Sequence, residues 1–337
     1  MPELTEQIVA QPMVEGEAKR KVPWRTLIAN NQWLLLVFMT VVMAVVTGIL
    51  NPNFWRADNL SSLFQQITVL GLVATGATIL IISGNFDISV DSYVGLSCCV
   101  MPMMINHGWP TPIAVVGGIL ICVACSTFNG VASIVFSAPS FIISLATLTA
   151  YEGISLQITN GVIQNSFGHF VDLTDVNVFS VIPLIFLITV VGYVAMHCLL
   201  KYTLVGRHVY AIGDNRDAAY RAGIKVKKNL VIFFAINGLL CGVAAWLLLA
   251  RVGGGLPTTG QGLALQGIGA VVIGGAPITG GKGSVVGTFC GVLLLGTIAN
   301  ALNVLNVSPY YQQIAVGSLI IVAVAFTALR LRLGATR

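Results

Sequence analysis

Three carboxylates interrupt otherwise apolar stretches of this chain, and they are its first candidates for chemistry. Asp87 and Asp91 follow directly after Gly84, and Glu152 lies inside an apolar run. A carboxylate within a membrane span costs about 2.5–3.5 kcal/mol on insertion scales, so it usually faces protein or water and often marks function. Asp87 and Asp91 fit a loop at the membrane interface equally well. Glu152 fits either a pore wall or a buried ion pair, with Arg251 as a candidate partner.

A glycine-rich segment at 274–284 has only part of a phosphate-binding loop. That loop needs G-x-x-x-x-G-K followed by Ser or Thr. Here Ala276 stands where the first glycine belongs, and Gly283 follows Lys282. We therefore expect no nucleotide site and interpret the segment as an unwound break between two spans. Irregular backbone at membrane depth survives only when it is buried in protein or faces a cavity.

Metal and redox chemistry have little support in this sequence. Cys122 and Cys125 have suitable spacing, but they lie in an apolar segment, where a thiol acts as a small hydrophobe. The four histidines show no ligand spacing. We expect no metal site and no cofactor in the chain itself.

The composition requires a membrane protein. The 337 residues are 56% hydrophobic and 9% charged, whereas soluble domains carry about 25% charged residues. Spanning hydrocarbon takes about 20 apolar residues per helix, so roughly ten spans fit. The net charge of +5 is interpreted as a topology signal, and no basic–aromatic pattern indicates nucleic acid.

The cations predict the orientation. Fourteen of the 17 Lys and Arg residues fall before residue 26, within 201–228, or after residue 329. Cations flanking apolar segments usually remain on the cytoplasmic side. We predict a cytoplasmic tail at 1–30, a membrane domain at 31–330 with a cytoplasmic loop at 201–228, and a cytoplasmic tail at 331–337. Segment 160–177 has Asp172 and Asp175 but no Lys or Arg, so we place it outside.

Apolar runs and Pro/Gly breaks predict an all-α, polytopic fold of about ten helices with broken or re-entrant segments. An eight-span version with re-entrant segments satisfies the charges as well. Segments 81–89 and 271–279 form a weak internal repeat, typical of transporter halves. A short amphipathic stretch at 59–66 leads into the second predicted span, which ends at residue 84. The other predicted spans are 32–50, 89–107, 110–136, 139–159, 178–200, 230–250, 262–273, 285–303 and 310–329.

The loop 201–228 contains one predicted short helix outside the bilayer. Asp214 or Asn215 can cap its start, Ala218 and Ala219 favour helix, and Gly223 can end it. The alternative is a merely basic, solvated loop. The cap and the flanking apolar spans favour a docking element.

Four motifs make the chain similar to permease subunits of bacterial ATP-binding-cassette (ABC) importers for ribose, arabinose, galactose and xylose. The resemblance covers about residues 51–329. The matching segments are 83–90 (SGNFDISV), 206–224 in the basic loop, 272–284 (VIGG…GGKGS) and 300–312 (NALNVLNVSPYYQ).

The resemblance implies a transport subunit of the bacterial inner membrane, with both termini cytoplasmic and no nucleotide site of its own. Such permeases form dimers with a second copy or a paralogue, accept sugar from a periplasmic binding protein, and are driven by ABC ATPase subunits that bind ATP–Mg. The resemblance places ATPase coupling on Gly213, Asp214, Asn215, Ala218, Ala219 and Gly223.

The chain departs from the family pattern at several polar positions. A small residue is usual where Asp91 stands, and Arg-Gly where Glu152 is followed by glycine. The family's G-x-E-L-D before the eighth span has Ala264 and Gln266 in place of its acids. These changes concern the lining of the pathway and therefore the identity of the sugar.

We therefore predict an ABC permease for a monosaccharide or related polyol, embedded in lipid. Two alternatives remain: a branched-chain amino-acid ABC permease and an ion-coupled secondary transporter. The residues predicted to line or brace the pathway are Asn85, Asp87, Ser89, Glu152 and Gln266.

Overall fold

The computed structural model describes residues 32–170, 173, 176–178 and 181–334. The predicted tail 1–30 lies outside the described residues, as do Asp172, Asp175 and 335–337; residues 331–334 belong to the last helix. The helices are α1 Gln32–Leu50, α2 Ala57–Ile82, α3 Val90–Asn106, α4 Thr111–Val135, α5 Ser140–Thr159, α6 Leu184–Tyr202, α7 Leu204–Asp214, α8 Arg216–Arg221, α9 Val226–Val252, α10 Leu263–Ile273, α11 Val285–Val304 and α12 Pro309–Gly334.

The described residues form an all-α membrane protein with very little sheet. A 3-10 turn at Pro52–Trp55 follows α1. Strand β1 (Gln164–Asn165) pairs antiparallel with β4 (Gly254–Gly255), and β2 (Asn177–Val178) pairs with β3 (Ile182–Pro183). The first pair joins the loop after α5 to the end of α9, at one end of the bundle. We call the opposite end, which carries α7 and α8, the basic end.

Seven helices of the described chain are long and apolar enough to cross a membrane by length and composition, namely α1, α2, α4, α5, α6, α9 and α11. Helix α3 has 17 residues and α10 has 11, so each is shorter than a full span of about 20 residues. Each follows a non-helical stretch, 83–89 before α3 and 256–262 before α10, which accounts for part of the missing length.

Proline and glycine fix several helix ends. Pro139 immediately precedes α5, and Pro183 immediately precedes α6. A proline has no N–H that would be left without a partner there, so it suits a helix start. Gly253 ends α9 with φ 76°, a left-handed conformation that favours glycine. Gly84 has φ 73° and ends α2, as the Gly break in the sequence predicted.

Helix α9 is the centre of the packing, against α4 on one side and α2 on the other. Gly238 and Gly242 let α9 approach α4 closely, because a Cβ at either position would meet the α4 backbone at 2.6–2.8 Å. Gly287 and Gly291 of α11 lie in the same way against the backbone of α10 and the glycine after it. Small residues therefore bring helices together within one protomer.

The basic loop is more helical than the sequence predicted. Only one short helix was expected, and the structure has two, α7 and α8. Residues 204–214 form α7 because Val209 and Ile212 bury on one side while Thr203 caps the start by accepting from the Gly206 N–H. Both helices pack on the bundle, so the segment is not a freely solvated loop.

Candidate functional site

A buried hydrogen-bond network surrounds Asp87, in the unwound segment 83–89 between α2 and α3. The hydroxyl of Ser89 donates to Oδ1 of Asp87 at 2.6 Å, and the Ser89 N–H does so at 3.1 Å. Asn129 Nδ2 donates to Oδ1 at 3.1 Å, and the Ser126 hydroxyl to Oδ2 at 3.0 Å. Asn237 Nδ2 reaches Oδ2 at 3.4 Å. Asp87 is therefore held by neutral donors from three elements.

Two tyrosines extend this network. The hydroxyl of Tyr93 contacts Asp87 Oδ2 at 3.4 Å and accepts from Asn237 Nδ2 at 3.1 Å. The hydroxyl of Tyr151 on α5 donates to the Cys125 carbonyl at 3.1 Å and contacts Asn129 Oδ1 at 3.4 Å. We call Asp87, Ser89, Tyr93, Ser126, Asn129 and Asn237 the Asp87 network.

The Asp87 network lies well inside the bundle. Asn237 is about three turns into α9, or about 16 Å from its start, and Ser126 and Asn129 are about two turns before the end of α4. Asp87 is 5% exposed. A carboxylate buried among these helices is shielded from bulk water and needs internal hydrogen bonds.

A second carboxylate lies at the start of α3. Asp91 accepts from the Gly262 N–H at 2.8 Å and from the Ala264 N–H at 2.6 Å, which are at the start of α10. The N-terminal ends of α3 and α10 thus meet, with a negative charge between them. Asp91 is not in a solvated interface loop, which the sequence left open.

At the basic end, α7 and α8 contact two breaks in the membrane helices, the unwound segment 83–89 after α2 and the segment 274–284 after α10. The Gly281 N–H donates to the Ile82 carbonyl at 2.8 Å, which joins the two breaks to each other. Gly213 lies where they join, because a Cβ there would collide with Ile82 and meet Gly281 N at 2.7 Å. Tyr210 donates to the Gly283 carbonyl at 3.0 Å. Burial raises the pKa of Tyr210, so its hydroxyl remains a donor at neutral pH.

The start of α8 is also tied to the unwound segment 83–89. Arg216 Nη2 donates to Asn85 Oδ1 at 3.1 Å, and Asn85 Nδ2 donates to the Ser83 carbonyl at 3.0 Å. Asn215 caps α8 by accepting from the Ala218 N–H at 2.9 Å. Of the two predicted caps, Asn215 makes this bond.

An open cavity of about 1120 Å³ lies between α8, the unwound segment 83–89 and the turn from α4 to α5. It combines cations with hydrogen-bonding groups. Its lining includes Asn85, Ser140, Arg216, Lys225, Lys227 and Lys228.

Helix α5 has a polar buried face and an outer face that is only partly apolar. Its buried residues are Ser140, Ser144, Thr147, Tyr151, Ser155 and Thr159. On the other side Thr149, Gly153 and Gln157 are exposed, and Glu152 is half-buried. Glu152 makes no hydrogen bond or ion pair with Arg251 among the described residues. A carboxylate on the outer face of a membrane helix requires a partner or water beside it.

The predicted pathway residues separate into three places. Asn85, Asp87 and Ser89 lie together in segment 83–89, whereas Glu152 lies on α5 and Gln266 on α10. Gln266 is half-buried, and its Nε2 lies 3.4 Å from where a Cβ of Gly262 would stand.

The six predicted coupling residues lie on α7, on α8 or at their ends. Gly213 and Asp214 end α7, Asn215 caps α8, and Gly223 follows α8 with φ 84°. Ala219 is buried against the bundle and Ala218 is exposed.

Sequence reasoning did not identify several members of these clusters. Ser126, Asn129 and Asn237 were missed, although an amide inside an apolar helix is itself a signal, since it needs a partner there. Arg216 and Tyr210 were treated only as part of a basic loop. Their partners are 131 and 73 positions away, and no local pattern predicts those pairings.

Comparison with known proteins gives a consistent set of relatives. The profile of the family described as branched-chain amino acid transport system / permease component matches residues 59–324. The chain is 35% identical to the ribose import permease protein RbsC of Bacillus subtilis, over 84% of this chain and 88% of the relative. It is 32% identical to the D-allose transport system permease protein AlsC of Escherichia coli K12, over 94% and 97%. It is 30% identical to the fructose import permease protein FrcC of Rhizobium meliloti, over 87% and 83%. No solved structure matches.

Proposed function

The chain belongs to the family described as branched-chain amino acid transport system / permease component, and from this membership we propose that it is the permease subunit of an ABC importer for a monosaccharide or related polyol. The observation that carries the proposal is nearly full-length similarity to relatives named as ribose, D-allose and fructose permeases. The amino-acid alternative rests on the family's description alone. The ion-coupled alternative has no support among these relatives.

We propose that the chain crosses the bacterial inner membrane ten times, with both tails and the loop 201–228 in the cytoplasm and residues 31–330 as the membrane domain. The seven long apolar helices support most of these crossings. Helices α3 and α10, each with the non-helical stretch before it, and α12 supply the other three. The weak internal repeat of segments 81–89 and 271–279 is supported by the place of both at the basic end, where Gly281, just after the second segment, donates to the Ile82 carbonyl.

The ATPase couples to this chain through α7 and α8. Nucleotide and Mg²⁺ bind to the ATPase subunits, and the coupling residues of this chain are Gly213, Asp214, Asn215, Ala218, Ala219 and Gly223. The exposed ones, Asp214, Asn215, Ala218 and Gly223, contact the ATPase, whereas Gly213 and Ala219 pack against the bundle. The contacts of Gly213, Tyr210 and Arg216 with both breaks support this role. A force on α8 therefore reaches segment 83–89 through Arg216 and Asn85.

Asn85, Asp87, Ser89, Glu152 and Gln266 divide between bracing and lining the pathway. The burial of Asp87 and Ser89 supports bracing. The half-buried positions of Glu152 and Gln266 support lining. Hydroxyl and amide groups suit a neutral sugar, and modest affinity permits release.

A second copy or a paralogue covers the part of the outer face of α5 that carries Thr149, Glu152 and Gln157. A carboxylate such as Glu152 facing lipid costs about 2.5–3.5 kcal/mol, so this face has a partner or a water-filled path beside it. The apolar outer faces of α1 and α4 contact lipid. A periplasmic binding protein delivers the sugar and supplies most of the selectivity.

Uptake competition tests the proposed cargo. Cells expressing the importer accumulate a labelled sugar, and unlabelled pentoses, hexoses, polyols and branched-chain amino acids compete with it. We expect competition from one sugar or a few related ones. Leucine or valine as the effective competitor would instead favour the amino-acid alternative.

A further inference from the structure

We propose that Asp91 is a positioning residue of the transport pathway, which holds the start of α10 and the polar segment before it in place inside the bundle. The inference rests on the proposed transport function. It assigns a role to a carboxylate that the predicted pathway residues did not include.

Asp91 contacts the start of α10 through its side chain and its backbone. Asp91 lies in the first turn of α3, and its two carboxylate oxygens accept from Gly262 N at 2.8 Å and Ala264 N at 2.6 Å. The segments also touch through their backbones, because a Cβ at Gly260 would collide with the Asp91 carbonyl. Asp91 therefore holds residues 260–264 against the start of α3.

The start of α10 has backbone N–H groups that need acceptors from outside the helix. The first N–H groups of a helix have no partner within the helix, and no bulk water satisfies them inside a membrane. Gly262 stands at the cap position with φ 85° and has no side chain to accept from them. Asp91 supplies both the missing acceptor and the negative charge that a helix start favours.

The bonds to Asp91 fix the position of three polar side chains around the start of α10. Thr258 and Gln261, in the turns before α10, are exposed, and Gln266 is half-buried one turn into the helix. These side chains offer hydroxyl and amide groups at or near the surface. Such groups hydrogen-bond the hydroxyls of a neutral sugar. Movement of the α10 start would move all three.

The test uses two variants of Asp91 and a matched control. Asp91→Asn removes the charge and replaces one acceptor oxygen with a donor, whereas Asp91→Glu keeps the carboxylate. Asp58→Asn is the control, since Asp58 is also in the first turn of a helix but is exposed. Ala264→Cys serves as a reporter in a Cys198→Ser background, because Ala264 is 2% exposed and Cys198 is an exposed native thiol.

We expect Asp91→Asn to lower the maximal uptake rate about tenfold and to raise thiol labelling at Ala264→Cys by a similar factor, because the start of α10 loses one of its two acceptors and the negative charge. Asp91→Glu should change the uptake rate and the labelling less than Asp91→Asn does, and Asp58→Asn should change neither quantity. Wild-type uptake and labelling in Asp91→Asn would overturn the inference. If Asp91→Asn does not fold, Asp91→Glu decides, since unchanged KM and maximal rate there also overturn it. Absence of uptake in the wild type would instead contradict the proposed function, and labelling would still report on the contact between Asp91 and α10.

Discussion

The guanidinium of Arg216 donates a hydrogen bond to the side-chain oxygen of Asn85 at 3.1 Å, across 131 positions of sequence. Arg216 begins α8 at the basic end, and Asn85 lies two residues before Asp87. The unwound segment 83–89 is therefore attached to α8 at one point and to the Asp87 network at the next. This relationship gives a short physical path from the proposed ATPase contact to the interior.

Arg216→Gln should uncouple ATP hydrolysis from transport. A hydrogen bond to a charged group is worth about 1.5–3 kcal/mol, so we expect sugar uptake to fall at least about tenfold. Hydrolysis stimulated by the binding protein falls less, because α8 still folds. Both rates are measured in proteoliposomes containing the ATPase subunits. Arg221→Gln, an exposed arginine at the end of the same helix, is the control. An equal loss of the two rates would show that Arg216 serves docking alone.

Tyr210→Phe should weaken the contact with the second break. The variant loses the bond to the Gly283 carbonyl, worth about 0.5–1.5 kcal/mol, and keeps the ring. Burial raises the pKa of Tyr210 above its usual value near 10, so the bond is present below pH 10 and is lost only as pH rises through the raised value. The difference in thermal stability between Tyr210→Phe and wild type should therefore stay constant from about pH 6 to 9. A difference that changes across this window would point to another group.

Gly213→Ala should disrupt the junction between α7 and the two breaks. The added Cβ would collide with the Ile82 carbonyl and lie 2.7 Å from Gly281 N, both backbone atoms that cannot rotate away. We expect overpacking of about 1–3 kcal/mol, seen as a lower melting temperature of the purified protein and reduced uptake. Gly317→Ala is the control, because its Cβ would have nothing within 4 Å. Equal behaviour of the two variants would contradict the close packing at Gly213.

Asp87→Ala should destabilise the protein itself, since it leaves the buried hydroxyls of Ser89 and Ser126 without their acceptor and removes one acceptor each from Asn129 and Asn237. Each unsatisfied group costs about 1–3 kcal/mol. The melting temperature of the detergent-purified protein should fall clearly, while Asp58→Ala, at an exposed position, leaves it unchanged. A second measurement concerns access, because Asp87 is 5% exposed. Asp87→Cys in a Cys198→Ser background should resist thiol labelling; rapid labelling would place Asp87 on the pathway wall.

Glu152→Gln should change uptake without changing stability. Glu152 is half-buried on the partly polar outer face of α5 and has no hydrogen bond among the described residues that the change would break. We expect an altered KM or maximal rate at equal expression, and a melting temperature within about 1 °C of wild type, because surface changes are usually small. Unchanged uptake at equal expression removes Glu152 from the pathway.

Much of the fold was predictable because apolar runs and breaks are local signals. The predicted segment 32–50 is helix Gln32–Leu50, and the predicted short segment 262–273 is helix Leu263–Ile273. Gly84 marks a break with φ 73°. The all-α membrane class and the sugar-importer similarity are confirmed, whereas the ten crossings, the repeat and the pathway residues stay predictions.

The interior of the site was not predictable, because its partners are far apart in the chain. Asp87 and Asn237 are 150 positions apart, and Asp91 and Gly262 are 171. Whether a carboxylate after a glycine break is solvated or buried depends on which helices fold around it. The sequence left that choice open for Asp87 and Asp91, and packing of segment 83–89 against α4 and α9 decides it for Asp87.

The energy source of uptake tests the central claim most directly. The chain is reconstituted in proteoliposomes with its ATPase subunits, the binding protein is added on the side opposite to ATP, and accumulation of labelled sugar is followed with and without an uncoupler. The account predicts accumulation that requires hydrolysable ATP and both partners and that survives the uncoupler. Accumulation that proceeds without the ATPase subunits and collapses with the uncoupler would contradict it.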